Sequence, residues 1–160
     1  MDSIMAPGRM KYIKAEKPDG CIFCRESTRE RELVLYEGVS CYIMMNKYPY
    51  TSGHLLVIPF RHVCEMEEMS AEEKLEMMEL TALCVGVLKE TYTPEGFNIG
   101  MNLGRVAGAG VDDHLHIHVV PRWLGDTNFS TVVGEVRVIP EDLVTTRNTL
   151  LCCFEKRKEG

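Results

Sequence analysis

No uninterrupted apolar run in these 160 residues approaches the ~20 needed to cross a bilayer as a helix, which argues against a membrane-spanning protein. The N-terminus also lacks the long apolar core of a secretory signal. Positive charge is in deficit, with a net charge of −6. A nucleic acid polymer is therefore not expected as a partner, because its phosphate backbone is held chiefly by cationic fields. An anionic ligand would need a local cradle instead. Internal repeats and low-complexity tracts are missing too. Cysteine, by contrast, is not scarce: seven residues, an odd number without an export signal, suit a reducing cytoplasm better than a secreted disulfide framework. The size prior gives one domain over 1–160, divided into an N-terminal segment (1–20), a core (21–139) and a C-terminal helix and tail (140–160).

Along the chain, a polar stretch at 14–20 leads into Cys21-Ile-Phe-Cys24. Residues 39–45 read as a strand. Pro49 and Gly53 bound a turn, and 54–60 reads as a second strand. Ser70 opens the clearest helix, since Ser70 and Glu73 form a capping-box pair. Leu75, Met78, Ala82 and Val85 recur there at helical spacing, with Leu80, Cys84 and Val87 widening the stripe, so a heavily covered helix is expected to about Glu90. Residues 97–103 read as a strand, 104–110 as a glycine-rich loop, 114–120 as a strand, and 132–139 as a further one. Pro140 suits the first turn of a last helix with Leu143, Arg147, Leu150 and Phe154 along one side. The sum is α+β: a mostly antiparallel sheet of about five strands, one long central helix and a C-terminal helix.

The informative segment is His114-Leu-His116-Ile-His118-Val-Val-Pro-Arg122. Side chains alternate across a strand, so the three histidines share one face and Leu115, Ile117 and Val119 the other. A single strand histidine usually lines a core or decorates a surface. Three of the five in the chain, on one face, favour chemistry. A metal cluster is the rival, because alternating histidines also chelate. The glycine loop just upstream fits that rival poorly, since its backbone N–H groups make an anion cradle.

Together these residues resemble the histidine-triad (HIT) signature, His-φ-His-φ-His-φ-φ, and the likeness runs from Pro7 to at least Asn148. The resemblance implies a HIT-like fold and a nucleotide substrate attacked at its α-phosphate. It makes His116 the nucleophile, with His118 donating to phosphate oxygens. Asn46-Lys-Tyr-Pro-Tyr-Thr-Ser-Gly-His54 is similar to the family's Asn-x-x-Pro-x-x-x-Gly-His, which places Asn46 on the ribose side and His54 as structural, outside the site. Asn102-Leu-Gly104 is similar to the Asn-x-Gly of the phosphate pocket. The loop at 107–113 departs from the family pattern, with neither the usual Gln nor Ser. Its polar work passes to backbone amides, at Gly108 and Gly110 in particular.

Downstream, Arg122-Trp-Leu-Gly-Asp-Thr-Asn-Phe129 resembles the bacterial and archaeal diadenosine tetraphosphate (Ap4A) phosphorylase branch, as does Ala6-Pro-Gly-Arg-Met-Lys-Tyr-Ile near the start. This implies contacts from Arg122 to distal phosphates and a place for Trp123 beside the site. Trp123 is otherwise read as packing.

Cys21-x-x-Cys24 is a metal knuckle in form, and alone it could equally be buried thiols or a redox pair. In the zinc-containing members of the family such a pair joins two histidines, which here correspond to His62 and His114. The resemblance thus implies a closed Cys2His2 structural zinc site, and leaves Mg2+ or another divalent ion to accompany the polyphosphate. The expected activity is phosphorolysis of Ap4A to ATP and ADP through a nucleotidyl-histidine. Hydrolysis or phosphoramidase chemistry is the alternative, and a nucleotide-binding module without turnover is the third reading. The family's habit implies a homodimer, with higher assembly open.

Overall fold

The computed structural model describes residues 21–24, 31–108, 114–127 and 139–158. The expectations at Gly110, at 132–138 and for the segment ahead of Cys21 lie outside these residues. Five strands form one antiparallel sheet: β1 (Val34–Glu37), β2 (Cys41–Met45), β3 (Leu55–Pro59), β4 (Gly96–Gly100) and β5 (Ile117–Arg122), in the order β1-β2-β3-β5-β4. Among the described residues two helices accompany them, α1 (Ala71–Tyr92) and α2 (Leu143–Lys158). The strand β1 was not anticipated. It ends in a hairpin whose Val39 and Ser40 N–H groups both donate to the Glu76 carboxylate of α1.

The two faces of the sheet do different jobs. Paired residues in an antiparallel ladder share a face. Cys41 lies against the start of α1, its thiol donating to the Glu73 carbonyl. Its face continues through Ile43, Val57, Ile117 and Val119, all buried. The opposite face carries Tyr42, Met44, Leu56 and His118, with Leu56 paired to His118. Histidine chemistry therefore sits on the side away from α1. With β2 and β3 buried along their whole length, neither face is left bare.

Ser70 and Glu73 close the capping box at the start of α1, each side chain bonded to the other's backbone N–H. Only part of the anticipated stripe of α1 faces inward, the part that holds Leu80, Cys84 and Val87. Met77, Leu80, Thr81, Cys84, Val87 and Leu88 are buried, whereas Leu75 and Met78 are 61% and 60% exposed. Two apolar stripes run along this helix, and a single sheet can cover only one. The longer stripe, which holds Leu80, Val87 and Leu88, takes the core.

The start of α2 also moves: Asp142, not Pro140, caps it, accepting from the Val144 and Thr145 N–H groups. Its Leu150 and Phe154 are buried as expected, joined by Thr146 and Cys153.

Glu73 has a second duty. Its carboxylate takes two hydrogen bonds from Arg61, which also donates to the Glu68 carbonyl. The Arg61 hydrogen bond, reinforced by the Ser70 N–H, holds its pKa below the ordinary carboxylate value against the cost of burial. A carboxylate whose folded pKa is depressed stabilises the fold above its unfolded pKa, and that contribution is lost as pH falls through the folded one. Glu73→Gln is therefore expected to melt below wild type at neutral pH, with the gap closing in acid below about pH 4. Thermal melts across that range check it. A gap that widens in acid would refute it.

Candidate active site and metal centre

The triad segment enters the sheet later than its alternation suggests. The ladder of β5 starts at Ile117, so only His118 lies within it. His114 to His116 form an irregular lead-in, tied by the Leu115 N–H to the Val63 carbonyl. His114 and His116 are buried, and His118 is half-buried.

Hydrogen bonds set which nitrogen of each neutral imidazole carries the proton. His116 Nδ1 lies 2.9 Å from the His114 carbonyl, an acceptor only, so Nδ1 is the donor and Nε2 keeps its lone pair. His118 is set the other way, through His54. The Tyr50 backbone N–H donates to His54 Nδ1 at 3.1 Å, which leaves the His54 proton on Nε2. His54 Nε2 lies 2.9 Å from His118 Nδ1 and donates to it, so the proton of His118 is on Nε2. His116 and His118, ring centroids 4.8 Å apart, are thus held in opposite tautomers, one with a lone pair and the other with a proton on Nε2. Burial pushes the His116 pKa below its ordinary value, partly offset by the hydrogen bond to His114, and this favours the neutral, nucleophilic form.

His54 was set aside as structural from sequence. Here it is buried and is the hydrogen-bond partner of His118. The turn that presents it is fixed by the Asn46 N–H to the His54 carbonyl, the His54 N–H to the Thr51 carbonyl and the Thr51 hydroxyl to the Pro121 carbonyl. Asn46 accepts from the Tyr48 N–H and sets its amide nitrogen 3.4 Å from the His54 ring, so it belongs to the same turn.

On the glycine loop, Gly104 and Gly108 have φ of +75° and +90°, a region that favours glycine. They flank a single 3-10 turn at Arg105–Ala107. The Asn102 amide reaches the Gly108 carbonyl at 3.4 Å, closing the loop on itself. Arg122, assigned by resemblance to distal phosphate, has its planar fork on Asp126, with a further bond to the Asn98 side chain. That arginine pulls the Asp126 pKa down to about 2. A phosphate would have to compete with Asp126 for Arg122. Trp123 donates from Nε1 to the Tyr92 carbonyl at the end of α1, a packing role.

The second centre lies one step back along the chain. Cys21, Cys24, His62 and His114 bring their ligand atoms within 4.8 Å of one another. His114 Nδ1 is 3.2 Å from Cys21 Sγ and 3.9 Å from Cys24 Sγ, and His62 Nδ1 is 3.3 Å from Cys24 Sγ. Tetrahedral zinc with sulfur and imidazole ligands has ligand–ligand edges of about 3.3–3.8 Å. The fit is close. His114 Nε2 donates to the Pro59 carbonyl, the kind of outer partner that fixes a ligating histidine's tautomer. Burial also drops the His114 pKa to about 4, so it is neutral at physiological pH, as a ligand must be. Phe23, inside the Cys-x-x-Cys loop, links the centres. Its ring lies 5.1 Å from that of His116 and 5.9 Å from that of His114, and its carbonyl accepts from the Tyr42 hydroxyl.

The side-by-side imidazoles of His116, just ahead of β5, and His118, within it, make this the candidate histidine-based site. Comparisons with known proteins agree. The HIT domain family matches residues 27–123, and the chain belongs to that family. It is 46% identical over 121 residues to the AP-4-A phosphorylase of Mycobacterium tuberculosis, covering 76% of this chain but only 62% of that protein's length. It is 33% identical over 103 residues to the adenosine 5'-monophosphoramidase of Schizosaccharomyces pombe, covering 64% of this chain and 74% of that one. Among solved structures, a zinc-bound histidine triad family protein from Mycobacterium smegmatis superposes with a TM-score of 0.65 at 27% identity, covering 79% of this chain and 86% of its own.

Proposed function

We propose that the protein transfers a nucleotidyl group from a dinucleoside polyphosphate, with Ap4A and inorganic phosphate as substrates and ATP and ADP as products. The opposite tautomers of His116 and His118 carry this reading. The His116 Nε2 lone pair attacks the α-phosphorus, and the bond from that phosphorus to the bridging oxygen breaks, releasing ATP. His118 Nε2–H supplies the hydrogen bond, and where needed the proton, to the departing oxygen. The AMP stays on His116 Nε2 while the Nδ1–H of the imidazolium remains bonded to the His114 carbonyl. Inorganic phosphate then attacks the same phosphorus, the N–P bond breaks, and ADP leaves. Asn102 and the loop amides at Gly104 and Gly110 would hold phosphate oxygens, with Asn46 on the ribose side, while the Gly108 N–H is already taken by the Arg105 carbonyl.

The choice of phosphate over water as acceptor rests on likeness to the mycobacterial phosphorylase. Likeness to the yeast phosphoramidase keeps hydrolysis as the second reading. Cys21, Cys24, His62 and His114 would hold a structural zinc ion that fixes the lead-in to β5, while Mg2+ or another divalent ion would travel with the polyphosphate. We place the protein in a reducing cytoplasm, where its seven free thiols would persist. A homodimer formed along β4, the outermost strand on that side among the described residues, where Ile99 is 49% exposed, fits the sheet order.

Incubation with Ap4A and Mg2+, with and without inorganic phosphate, should give ATP plus ADP only when phosphate is present. ATP plus AMP irrespective of phosphate would transfer the protein to the hydrolase reading.

A further inference from the structure

Three of the contacts of the His118 ring bear on its plane. One is the hydrogen bond from His54 Nε2. A second is the edge of His116, tilted 68° to it. The third is Tyr50, whose ring lies nearly parallel to it, at 20° and 5.9 Å between centroids. The same Tyr50 ring packs on His54 at 4.6 Å, so it covers both members of the hydrogen-bonded histidine pair. Tyr50 also supplies the backbone N–H that sets the His54 tautomer.

We infer that Tyr50 is a positioning residue for His118, its backbone fixing which nitrogen carries the proton and its ring fixing where that nitrogen points. The two functions separate by atom. The backbone N–H survives any substitution except proline, so the His54 tautomer does not depend on the side chain. The orientation of His118 does. With the ring gone, His118 can rotate about χ1 and χ2, break its bond to His54 and exchange tautomers. A proton donor misplaced by about 1 Å loses on the order of 10²-fold in rate without losing the ground-state contacts that bind substrate. The effect belongs in kcat rather than KM. Thr51 and Ser52 complete the turn. The Thr51 hydroxyl anchors it to Pro121, so the strand end that follows His118 and the residue that stacks on it move as one unit.

In turnover this inference rests on the nucleotidyl-transfer reading above, so its test has an arm that needs no turnover. Tyr50→Leu should lower kcat for Ap4A about 10- to 100-fold with KM within about threefold of wild type, and Tyr50→Phe, which keeps the ring, should restore kcat to within about threefold. Independently, imidazole ¹⁵N shifts should show His118 as a single Nε2–H tautomer in wild type and Tyr50→Phe, and as a mixture in Tyr50→Leu. Unchanged kcat in Tyr50→Leu, a loss confined to KM, or an equal loss in Tyr50→Phe would overturn the inference. If the wild type turns over no dinucleotide, the functional reading fails, and the nitrogen shifts alone decide: identical patterns in wild type and Tyr50→Leu refute a positioning role. Should Tyr50→Leu not fold, Tyr50→Met fills the volume without a ring and carries the same expectations.

Discussion

Replacing His116 with asparagine is expected to reduce Ap4A turnover by on the order of 10⁵-fold and to leave the fold standing. The size follows from the role. Without a nucleophile no nucleotidyl-enzyme forms, and the donors left behind must act on a direct attack by phosphate or water, for which the site is not arranged. The survival of the fold follows from local chemistry. His116 is buried, and its one recorded hydrogen bond is from Nδ1 to the His114 carbonyl. An asparagine amide can also donate to that carbonyl, so no buried acceptor is abandoned. His116→Ala would lose that donor and leave a void beside Phe23, and should melt lower than the asparagine variant while being equally inactive. Product chromatography measures the first effect and thermal melts the second. A more direct check follows from the covalent step: Ap4A labelled at the α-phosphate should label acid-quenched wild type not at all and base-quenched wild type strongly, because an N–P bond is acid-labile, while His116→Asn takes no label in either case. Turnover near wild type in His116→Asn would eliminate the covalent mechanism.

The sequence made the chemistry-bearing strand legible because its signal is local: three histidines at a spacing of two need no tertiary information to be placed together. The capping box at Ser70 and Glu73 was legible for the same reason. What failed was information that depends on partners. The helix α1 carries apolar residues on two sides, and periodicity alone cannot say which side the sheet will take; Leu75 and Met78 were assigned inward and lie out. Arg122 has the right chemistry for phosphate, but Asp126, four residues on, reaches its fork first. His54 is far from the triad in sequence and adjacent to it only because β3 pairs with β5, setting Leu55 opposite Val119 and Leu56 opposite His118. A hint was present, since a histidine at the head of an apolar strand is an expensive residue to bury without a partner. The strand β1 carries a signal as well, Val34-Leu-Tyr-Glu closed by Gly38, but four residues are too few for alternation to separate a strand from a loop.

Removing the metal ligands should have the second large effect, on stability first and on chemistry through it. An ion that binds only the folded chain stabilises it by RT ln(1 + [L]/Kd), about 4 kcal/mol when free metal exceeds Kd a thousandfold. For a domain of this size that corresponds to a fall in Tm of roughly 10 °C on its loss. Purified protein is expected to hold about one zinc per chain by elemental analysis, and chelation or Cys21→Ala to produce that fall. His62→Ala should cost less, because His62 sits at the surface and water can take its position, whereas Cys21 and His114 lie deeper in the fold. The consequence for chemistry runs through Phe23. The Cys21–Cys24 loop holds that ring against both His114 and His116, so a loop without an ion would withdraw packing from His116 as well as from His114. Metal-free protein held below its melting point should therefore turn over Ap4A more slowly, and readdition of zinc should restore both Tm and rate together. Recovery of Tm without recovery of rate would uncouple the two centres. A chain that purifies without metal and melts identically in chelator would make the four residues a set of packed thiols and imidazoles, with the lead-in to β5 held by the His114–Pro59 and Leu115–Val63 bonds alone.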